Sequence, residues 1–427
     1  MKIANYFCIA AGLTCMFSCS GIDSVKVENP ITISSPVPAK QITKVTLDET
    51  QSGYVEAGNK MSLRFLKEMY GEENLVCSPL SLQYAIAMAA NGASGETLDE
   101  IIEMLGYGEE GIDALNEYCR LLLEQLPAVD LDVTLKLTDA LLVNDMYPLL
   151  PSFKKTVEEN YYAAVDNMDF SDPDQVAARI NEWCSRSTNG FIDKVLDPSE
   201  ISPNAAAYIM NALYFKAKWA RTVHGDMFKE DMTKPEDFHL ENGKTVKVDM
   251  MRNTGFHQYA EMDGYKVLVL PYANAKFNMY ILLPDENNIK GLIEKLQMTS
   301  WSEILGNLKQ DADVHVKLPK FSIENKYDLN HALMALGIIK AFGPDAEFDR
   351  MFDSDESFWL NKVIQKSRIA VSEWGTEAGS ITIVEMWGDT MNPNPKDVFF
   401  HIDHPFVFII GEKTSGTILF EGVVMEP

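Results

Sequence analysis

The chain has 427 residues and carries 37 lysines and arginines against 63 aspartates and glutamates, which gives a formal net charge of −26 at pH 7. This charge argues against a nucleic-acid partner, because binding to phosphates requires clustered lysine and arginine side chains. Only Cys77, Cys119 and Cys184 follow residue 20, and three scattered thiols argue against a disulfide framework. We expect each of them to be a small buried residue on a helix or strand.

The first residues are predicted to direct export and to lie outside the fold. A positive Lys2 precedes the mostly apolar residues 3–17, which is the pattern of a secretory signal peptide over residues 1–18. Cys19 follows a small residue and resembles a bacterial lipoprotein cleavage site, so it is the candidate for lipidation, with Cys15 as a weaker one. The alternative is ordinary secretion, with Cys19 inside the discarded segment.

Residues 19–50 are predicted to hold the lipid-anchor site and a linker, since prolines 30, 36 and 38 lie in a small, polar mixture without period. Residues 51–427 would form a single domain that is large enough to bury a substantial core. The expected location is the cell envelope, as an outer-membrane lipoprotein that could face the cell surface. If the anchor is absent, the protein is expected to be extracellular.

Capping residues and apolar spacing predict the first helices. Apolar residues at helical spacing favour a helix over residues 55–69. Ser78 and Pro79 together indicate the start of a helix that ends near Gly92. Its apolar residues lie nearly all round, which is typical of a helix buried in a large core. Residues 97–100 have the capping-box pattern of a third helix.

The middle of the chain mixes strands with a helix. Alternating apolar and polar residues predict a strand with one covered face over residues 131–143. A helix is predicted to begin at Pro173 and to end at Asn189 and Gly190. The near-continuous apolar run at residues 205–215 predicts a strand that is buried on both faces.

The C-terminal part is predicted to consist mainly of strands separated by turn signals. The predicted elements are short strands over residues 238–284, a strand over 314–323, a helix over 329–336, a long strand over 358–371, and strands over 399–425 around a turn at 412–416. Helices and antiparallel sheets without strict alternation of strand and helix indicate an α+β fold.

Eight short motifs occur in an order that is similar to that of the serpin family. They lie at residues 74–81 with 92–97, 211–219, 269–272, 283–285, 318–321, 375–378, 405–406 and 419–422, ahead of the terminal Pro427. Each motif alone is a weak signal, but eight in order are specific. The resemblance covers roughly residues 74–427.

The resemblance implies a large, mostly antiparallel main sheet, smaller sheets, about eight to nine helices and an exposed reactive loop over residues 373–398. It also implies inhibition of extracellular serine endopeptidases, with cysteine endopeptidases as a further class. The protease would cut the loop, remain attached as an acyl-enzyme, and be trapped as the loop inserts into the main sheet. The implied protein is a monomer, is not an enzyme, and needs no cofactor or metal.

The resemblance assigns four residues to a gate beneath the main sheet: Ser78, Ser81, Asn211 and Gln365. The alternative explanation of the first three is as caps and turns, and the gate is the favoured one. Trp219 would lie where the loop enters the sheet, or else would be an ordinary core residue. The implied hinge of the loop consists of Glu373, Gly375, Thr376, Glu377, Ala378, Ser380 and Thr382.

Several positions depart from the usual family pattern. Gln365 stands where the family usually has histidine, so gating could differ. Ala217 replaces a usual glycine, and Trp374 stands where a second glutamate is common. Gly379 and Ile381 interrupt the usual run of small residues.

Strand geometry shows whether the loop could be buried, because alternate residues of a strand face the same side. The outward set would hold both carboxylates of this stretch, Glu377 and Glu385. A carboxylate in the inward set would cost several kcal/mol, and none occurs there. The inward set is neutral and mostly small: Thr376, Ala378, Ser380, Thr382, Val384 and Met386.

The cleaved bond is predicted by counting. Roughly seventeen residues from Glu373, taken as the first, lead to the bond between Asp389 and Thr390, which would suit proteases with an acidic preference. The alternatives Met386, Trp387 and Met391 would suit chymotrypsin-like or elastase-like proteases.

Two alternative interpretations concern the function and a metal site. A non-inhibitory serpin, which acts as a binding or structural protein, would have its loop cut without insertion. His401, Asp403 and His404 could be taken for a metal cluster, but their spacing is better explained by a strand and its turn. No G-x-S-x-G or H-E-x-x-H motif indicates a hydrolase.

Overall fold

A computed structural model describes residues 30–107, 111–222, 225–376 and 396–427. Within these ranges the chain forms nine α-helices and sixteen β-strands. The helices are α1 (Glu49–Met69), α2 (Pro79–Ala90), α3 (Gly95–Leu105), α4 (Gly111–Gln125), α5 (Pro151–Tyr161), α6 (Pro173–Ser187), α7 (Ile289–Leu296), α8 (Trp301–Gly306) and α9 (Asn330–Leu336).

The strands form three sheets, two of six strands and one of four. They are β1 (Leu75–Cys77), β2 (Thr134–Asn144), β3 (Ala164–Met168), β4 (Ala207–Lys218), β5 (Lys234–His239), β6 (Thr245–Gly255), β7 (Tyr259–Met262), β8 (Tyr265–Tyr272), β9 (Phe277–Pro284), β10 (Ala312–Pro319), β11 (Phe321–Asp328), β12 (Ile364–Ser372), β13 (Gly375–Thr376), β14 (Lys396–His401), β15 (Phe406–Glu412) and β16 (Ile418–Val424).

The main sheet has the strand order β11-β12-β13-β4-β2-β3. All of its neighbouring strands are antiparallel except β2 and β3. The long strands β12 and β4 run parallel to each other, because β13 pairs antiparallel with both. Since β13 has two residues, it connects these long strands at one end only among the described residues.

A second six-stranded sheet, ordered β1-β16-β15-β9-β8-β7, supplies much of the core. Every residue of β9, β15 and β16 is buried. Helix α2 contacts β4 of the main sheet and β16 of this second sheet. All but one of its twelve residues are buried, which confirms the prediction of a helix enclosed by the core. The third sheet has the order β14-β10-β6-β5.

The start of α2 was predicted correctly, whereas the starts of its neighbours were not. Ser78 caps α2 by accepting a hydrogen bond from the backbone N–H of Ser81. Helix α1 begins at Glu49, because Asp48 and Gln51 form a capping box ahead of the apolar stretch. The capping box predicted at Thr97 is wrong. The N-cap of helix α3 is Ser94, three residues earlier, and Thr97 lies inside the helix, bonded to Glu347.

Three predicted strands differ from the observed ones. The strand predicted over 314–323 is divided by Lys320 into β10 and β11, which belong to different sheets. The long strand predicted from residue 358 begins only at Ile364. Strand β4 was expected to be buried on both faces, yet residues 207–209 and 211 are only half-buried. They line a cavity, which is described below.

The three thiols after residue 20 lie on β1, α4 and α6, and all are buried and free, as predicted.

The N-terminal segment 30–48, predicted to be linker, lies against the body. Ile31 and Val45 are buried, and Ile42 donates a backbone hydrogen bond to Ala128. In the described ranges, no helix has the length and apolar character needed to cross a bilayer. Residues 1–29, with Cys15 and Cys19, lie outside these ranges.

Candidate functional site

Strand β12 turns back into β13 at Glu373 and Trp374, which makes a tight hairpin ahead of residue 377. Gly375 in this hairpin has φ 129°, a backbone conformation that side-chain-bearing residues rarely adopt. A Cβ atom there would lie 2.1 Å from the carbonyl oxygen of Ala217 on β4. Only glycine therefore allows β13 to approach β4 closely.

Thr376 is the last residue that the structure describes ahead of residue 396, and it faces the core. Its side chain is buried, and its hydroxyl oxygen lies 2.5 Å from the hydroxyl of Tyr272 on β8. This orientation places Thr376 in the inward set that strand alternation predicted. The hairpin is thus fastened to the second sheet beneath it.

Glu373 holds the turn of the hairpin in place. Its carboxylate accepts a hydrogen bond from the hydroxyl of Thr233 at 2.7 Å and pairs with the ammonium of Lys320 at 3.0 Å. Burial opposes ionisation of this carboxyl, but the hydrogen bond and the ion pair outweigh it and lower the pKa of Glu373. The charged form is therefore the one that the turn requires.

Trp219 packs against the same hairpin. Its ring stacks on that of Tyr272 with 4.6 Å between centroids. Its indole N–H donates to the carbonyl oxygen of Ser372 at 2.8 Å. Trp219 is buried and also contacts the hairpin, so it is a core residue that lies beside the start of the predicted loop.

The start of α2 holds strand β12 of the main sheet through Gln365. The Gln365 amide accepts from the backbone N–H of Ser78 at 2.9 Å and donates to its carbonyl oxygen at 2.8 Å. The hydroxyl of Ser78 donates to Leu419 on β16 at 2.8 Å. Ser78 is therefore a helix cap that also connects both six-stranded sheets.

The same turn of α2 holds β4. The hydroxyl of Ser81 donates a short hydrogen bond to the side-chain oxygen of Asn211. The Asn211 amide then donates to Asp139 on β2 at 2.7 Å. The four residues assigned to the gate are thus brought together, and they fasten β12 and β4 to one helix terminus.

A cavity of about 590 Å³ lies between β4 and β12, over α2. Its wall includes Ile86 of α2, Ile209 and Asn211 of β4, and Ile369 of β12, with Thr376 also lining it. No hydrogen-bonded pairing between β4 and β12 is present among the described residues, apart from the link through β13. The edges of these two strands therefore offer backbone groups to a further strand.

Asp139 is a site residue that the sequence analysis missed. It is fully buried and lies opposite Asn211 in the pairing of β2 with β4. Burial raises its pKa to about 7, although the hydrogen bond from Asn211 acts in the opposite direction. The sequence did hold a signal for this burial. Asp139 lies at every-second-residue spacing from Leu135, Leu137 and Leu141, so it shares their face of the strand, and all three are buried.

Part of the predicted loop lies outside the described ranges. This part comprises the hinge residues Glu377, Ala378, Ser380 and Thr382, the proposed bond Asp389–Thr390, and the alternatives Met386, Trp387 and Met391.

No cluster of metal ligands occurs among the described residues. His404 instead contacts Asp403 at 2.9 Å and the carbonyl oxygen of Pro284 at 2.9 Å.

Comparison with known proteins agrees with this arrangement. A family model described as "Serpin (serine protease inhibitor)" matches residues 56–427. The chain belongs to the serpin family. An uncharacterized serpin-like protein of Thermococcus kodakarensis is 35% identical over 376 residues, which cover 87% of this chain and 85% of that protein. Human neuroserpin is 31% identical, and the match covers 83% of this chain and 87% of neuroserpin.

Solved serpin structures share the fold. The native state of the thermophilic serpin tengpin superposes with a TM-score of 0.78 at 28% identity, covering 92% of this chain and 98% of tengpin. Thyroxine-binding globulin in complex with thyroxine has a TM-score of 0.76 at 24% identity, covering 87% of this chain and 99% of the globulin. The α+β fold predicted from the sequence is therefore confirmed.

Proposed function

We propose that this serpin inhibits extracellular serine endopeptidases, and cysteine endopeptidases as a further class, as a suicide substrate. The observation that carries the proposal is the cavity between the parallel strands β4 and β12, which are joined by the two-residue β13 alone among the described residues. A strand that continued β13 would pair antiparallel with both long strands and extend the ladder.

The proposed reaction starts as ordinary proteolysis. The nucleophile of the protease attacks a carbonyl carbon of the loop, the peptide C–N bond breaks, and the new amino group remains on the C-terminal part of the chain, which stays in the fold through β14, β15 and β16. The N-terminal part stays bound to the protease, as an ester of a serine nucleophile or a thioester of a cysteine nucleophile. It then enters the main sheet and carries the protease with it before water hydrolyses the acyl bond.

Insertion needs a native state that is kinetically trapped above a more stable one. About a dozen new ladder hydrogen bonds at ~1 kcal/mol each would supply ~10 kcal/mol. The neutral inward set that begins at Thr376 adds no buried charge against this gain. The hairpin already directs the chain between the two strands, since Gly375 and Thr376 pair with β4 and β12.

We further propose the bond Asp389–Thr390 as the cleavage site, with Met386, Trp387 and Met391 as neighbouring candidates. We also propose Cys19 as the lipid-anchor site after removal of residues 1–18. Such an anchor would hold the inhibitor at the membrane through the N-terminal segment. Both proposals rest on sequence patterns, and peptide mass spectrometry tests each of them.

The test mixes the purified protein with a panel of serine and cysteine proteases and separates the products on denaturing gels. A band at the summed mass, with loss of protease activity, is the expected result. The variant Thr376→Arg places a cation at a buried position and should be cut without forming that band. Thr245→Arg, the same substitution at an exposed residue of β6, should still form it.

The second candidate is a serpin that binds a ligand or partner without inhibition. It is favoured by one comparison, since a protein of this fold binds thyroxine. If every protease tested cuts the loop and remains active, and no covalent band forms, inhibition is wrong and this candidate is left. Complexes formed equally well by Thr376→Arg would contradict the inward orientation of the inserted strand.

A further inference from the structure

Asp139 differs from the other polar residues beneath the main sheet because it can lose a proton. Its Oδ1 atom accepts a hydrogen bond from Asn211 at 2.7 Å, whereas its Oδ2 atom is buried without any hydrogen-bond partner. The side chain has no solvent exposure. A carboxylate with one donor and no solvent is poorly stabilised, whereas a neutral carboxyl leaves only an uncharged O–H without a partner, which costs less.

Among the residues that the structure describes, no positive charge acts on Asp139 to stabilise its ionised form. The ionisable groups that face it are Tyr84 of α2, Cys119 of α4 and Tyr161 of α5. Burial raises the pKa of all three well above their usual ranges, so they are neutral at physiological pH. Near neutral pH, Asp139 is therefore the group of this cluster whose charge changes.

The position of Asp139 connects this charge to the cleft. The chain of hydrogen bonds Ser81–Asn211–Asp139 runs from α2 across β4 to β2. Asn211 itself lines the cavity. If β4 moves away from β12, the hydrogen-bonded residues of β4 and β2 must shift over α2, and water then enters beside Asn211. Water would lower the cost of an ionised Asp139.

We propose that Asp139 is a proton-dependent latch on the main sheet: its neutral form keeps β4 on α2, and its ionised form favours separation of β4 from β12. The inference rests on the proposed function only in that separation of these strands is what admits the loop. The direction follows from linkage. Since the closed sheet binds the proton more tightly than a hydrated, open one, opening is favoured as pH rises through about 7.

The experiment measures hydrogen exchange of the β4 peptide in intact protein at pH 5.5, 7 and 8.5. Each pH compares the natural protein with Asp139→Asn, which is isosteric and always neutral, so that the intrinsic exchange rate cancels. The exposed Asp145→Asn at the end of β2 removes the same charge and serves as the control. If opening lowers the pKa of Asp139 by one unit, the relative exchange rate should rise about tenfold by pH 8.5.

A ratio that does not change with pH, or an equal change in Asp145→Asn, would overturn the latch. Should Asp139→Asn not fold, the buried strand β9 of the natural protein serves as an internal reference for β4. A second measurement distinguishes failure of the proposed function from failure of the latch: the loop is nicked in the same proteins, and their heat stability is measured. Absence of any gain rejects insertion, whereas a gain with pH-independent β4 exchange rejects the latch alone.

Discussion

Gln365 stands at the position where the family usually has histidine, among the residues assigned to the gate. Its amide both accepts from and donates to the backbone of Ser78, which a single imidazole nitrogen would not do at once. Gln365→Ala would leave two buried backbone groups of Ser78 without partners, so we expect a loss of about 2–4 kcal/mol in the free energy of unfolding. Urea denaturation measures it. The exposed Gln310→Ala should change stability by less than about 0.5 kcal/mol.

Glu373 should make the hairpin sensitive to acid. Because the folded protein lowers the pKa of this carboxyl, its stabilising contribution is present above the unfolded value of about 4.5 and is lost as pH falls through the lower folded value. The difference in unfolding free energy between the natural protein and Glu373→Gln should be constant from pH 8 to about pH 5 and shrink below it. The exposed Glu286→Gln is the control, and a difference that grows in acid would contradict the ion pair.

At the scale of elements, the hairpin β12–β13 depends on one glycine. Gly375→Ala combines an unfavourable φ with a clash against the backbone of Ala217, so we expect a loss of more than about 2 kcal/mol and freer movement of the hairpin. Gly53→Ala in α1 has no atom within 4 Å of the added Cβ and should stabilise the helix by about 0.5–1 kcal/mol. Thermal unfolding of both variants measures the contrast.

Elements were predictable where local chemistry decides them. Ser78 and Pro79 define the start of α2, and motif order placed the gate residues, which the structure brings together. Thr97 misled the prediction, because its hydroxyl bonds to Glu347, 250 residues later in the chain, and not to its own helix. Asp139 was missed for a related reason. A lone acid in a strand is ordinary, and its burial depends on which face of the strand the helices α2, α4 and α5 cover.

At the scale of the whole molecule, the fold keeps two long parallel strands apart while fastening both to α2. Gln365 and Asn211 reach the first turn of that helix from opposite edges of the cleft. A third strand between them would satisfy the facing backbone groups of both. Under the proposed mechanism, the contacts that fasten β4 and β12 to α2 oppose insertion of the loop, and the unpaired backbone groups of these two strands favour it once the loop is cut.

Nicking the loop should raise the heat stability of the whole protein. If about a dozen new hydrogen bonds add ~10 kcal/mol, the unfolding midpoint should rise by about 10 °C, since 1 kcal/mol shifts the midpoint of a chain of this size by about 1 °C. Calorimetry before and after limited proteolysis measures the shift. Nicked Thr376→Arg should gain little, because the strand cannot seat a cation at its first buried residue. A nicked natural protein that melts where the intact one does would leave β4 and β12 as a fixed cleft, without stored free energy to trap a protease.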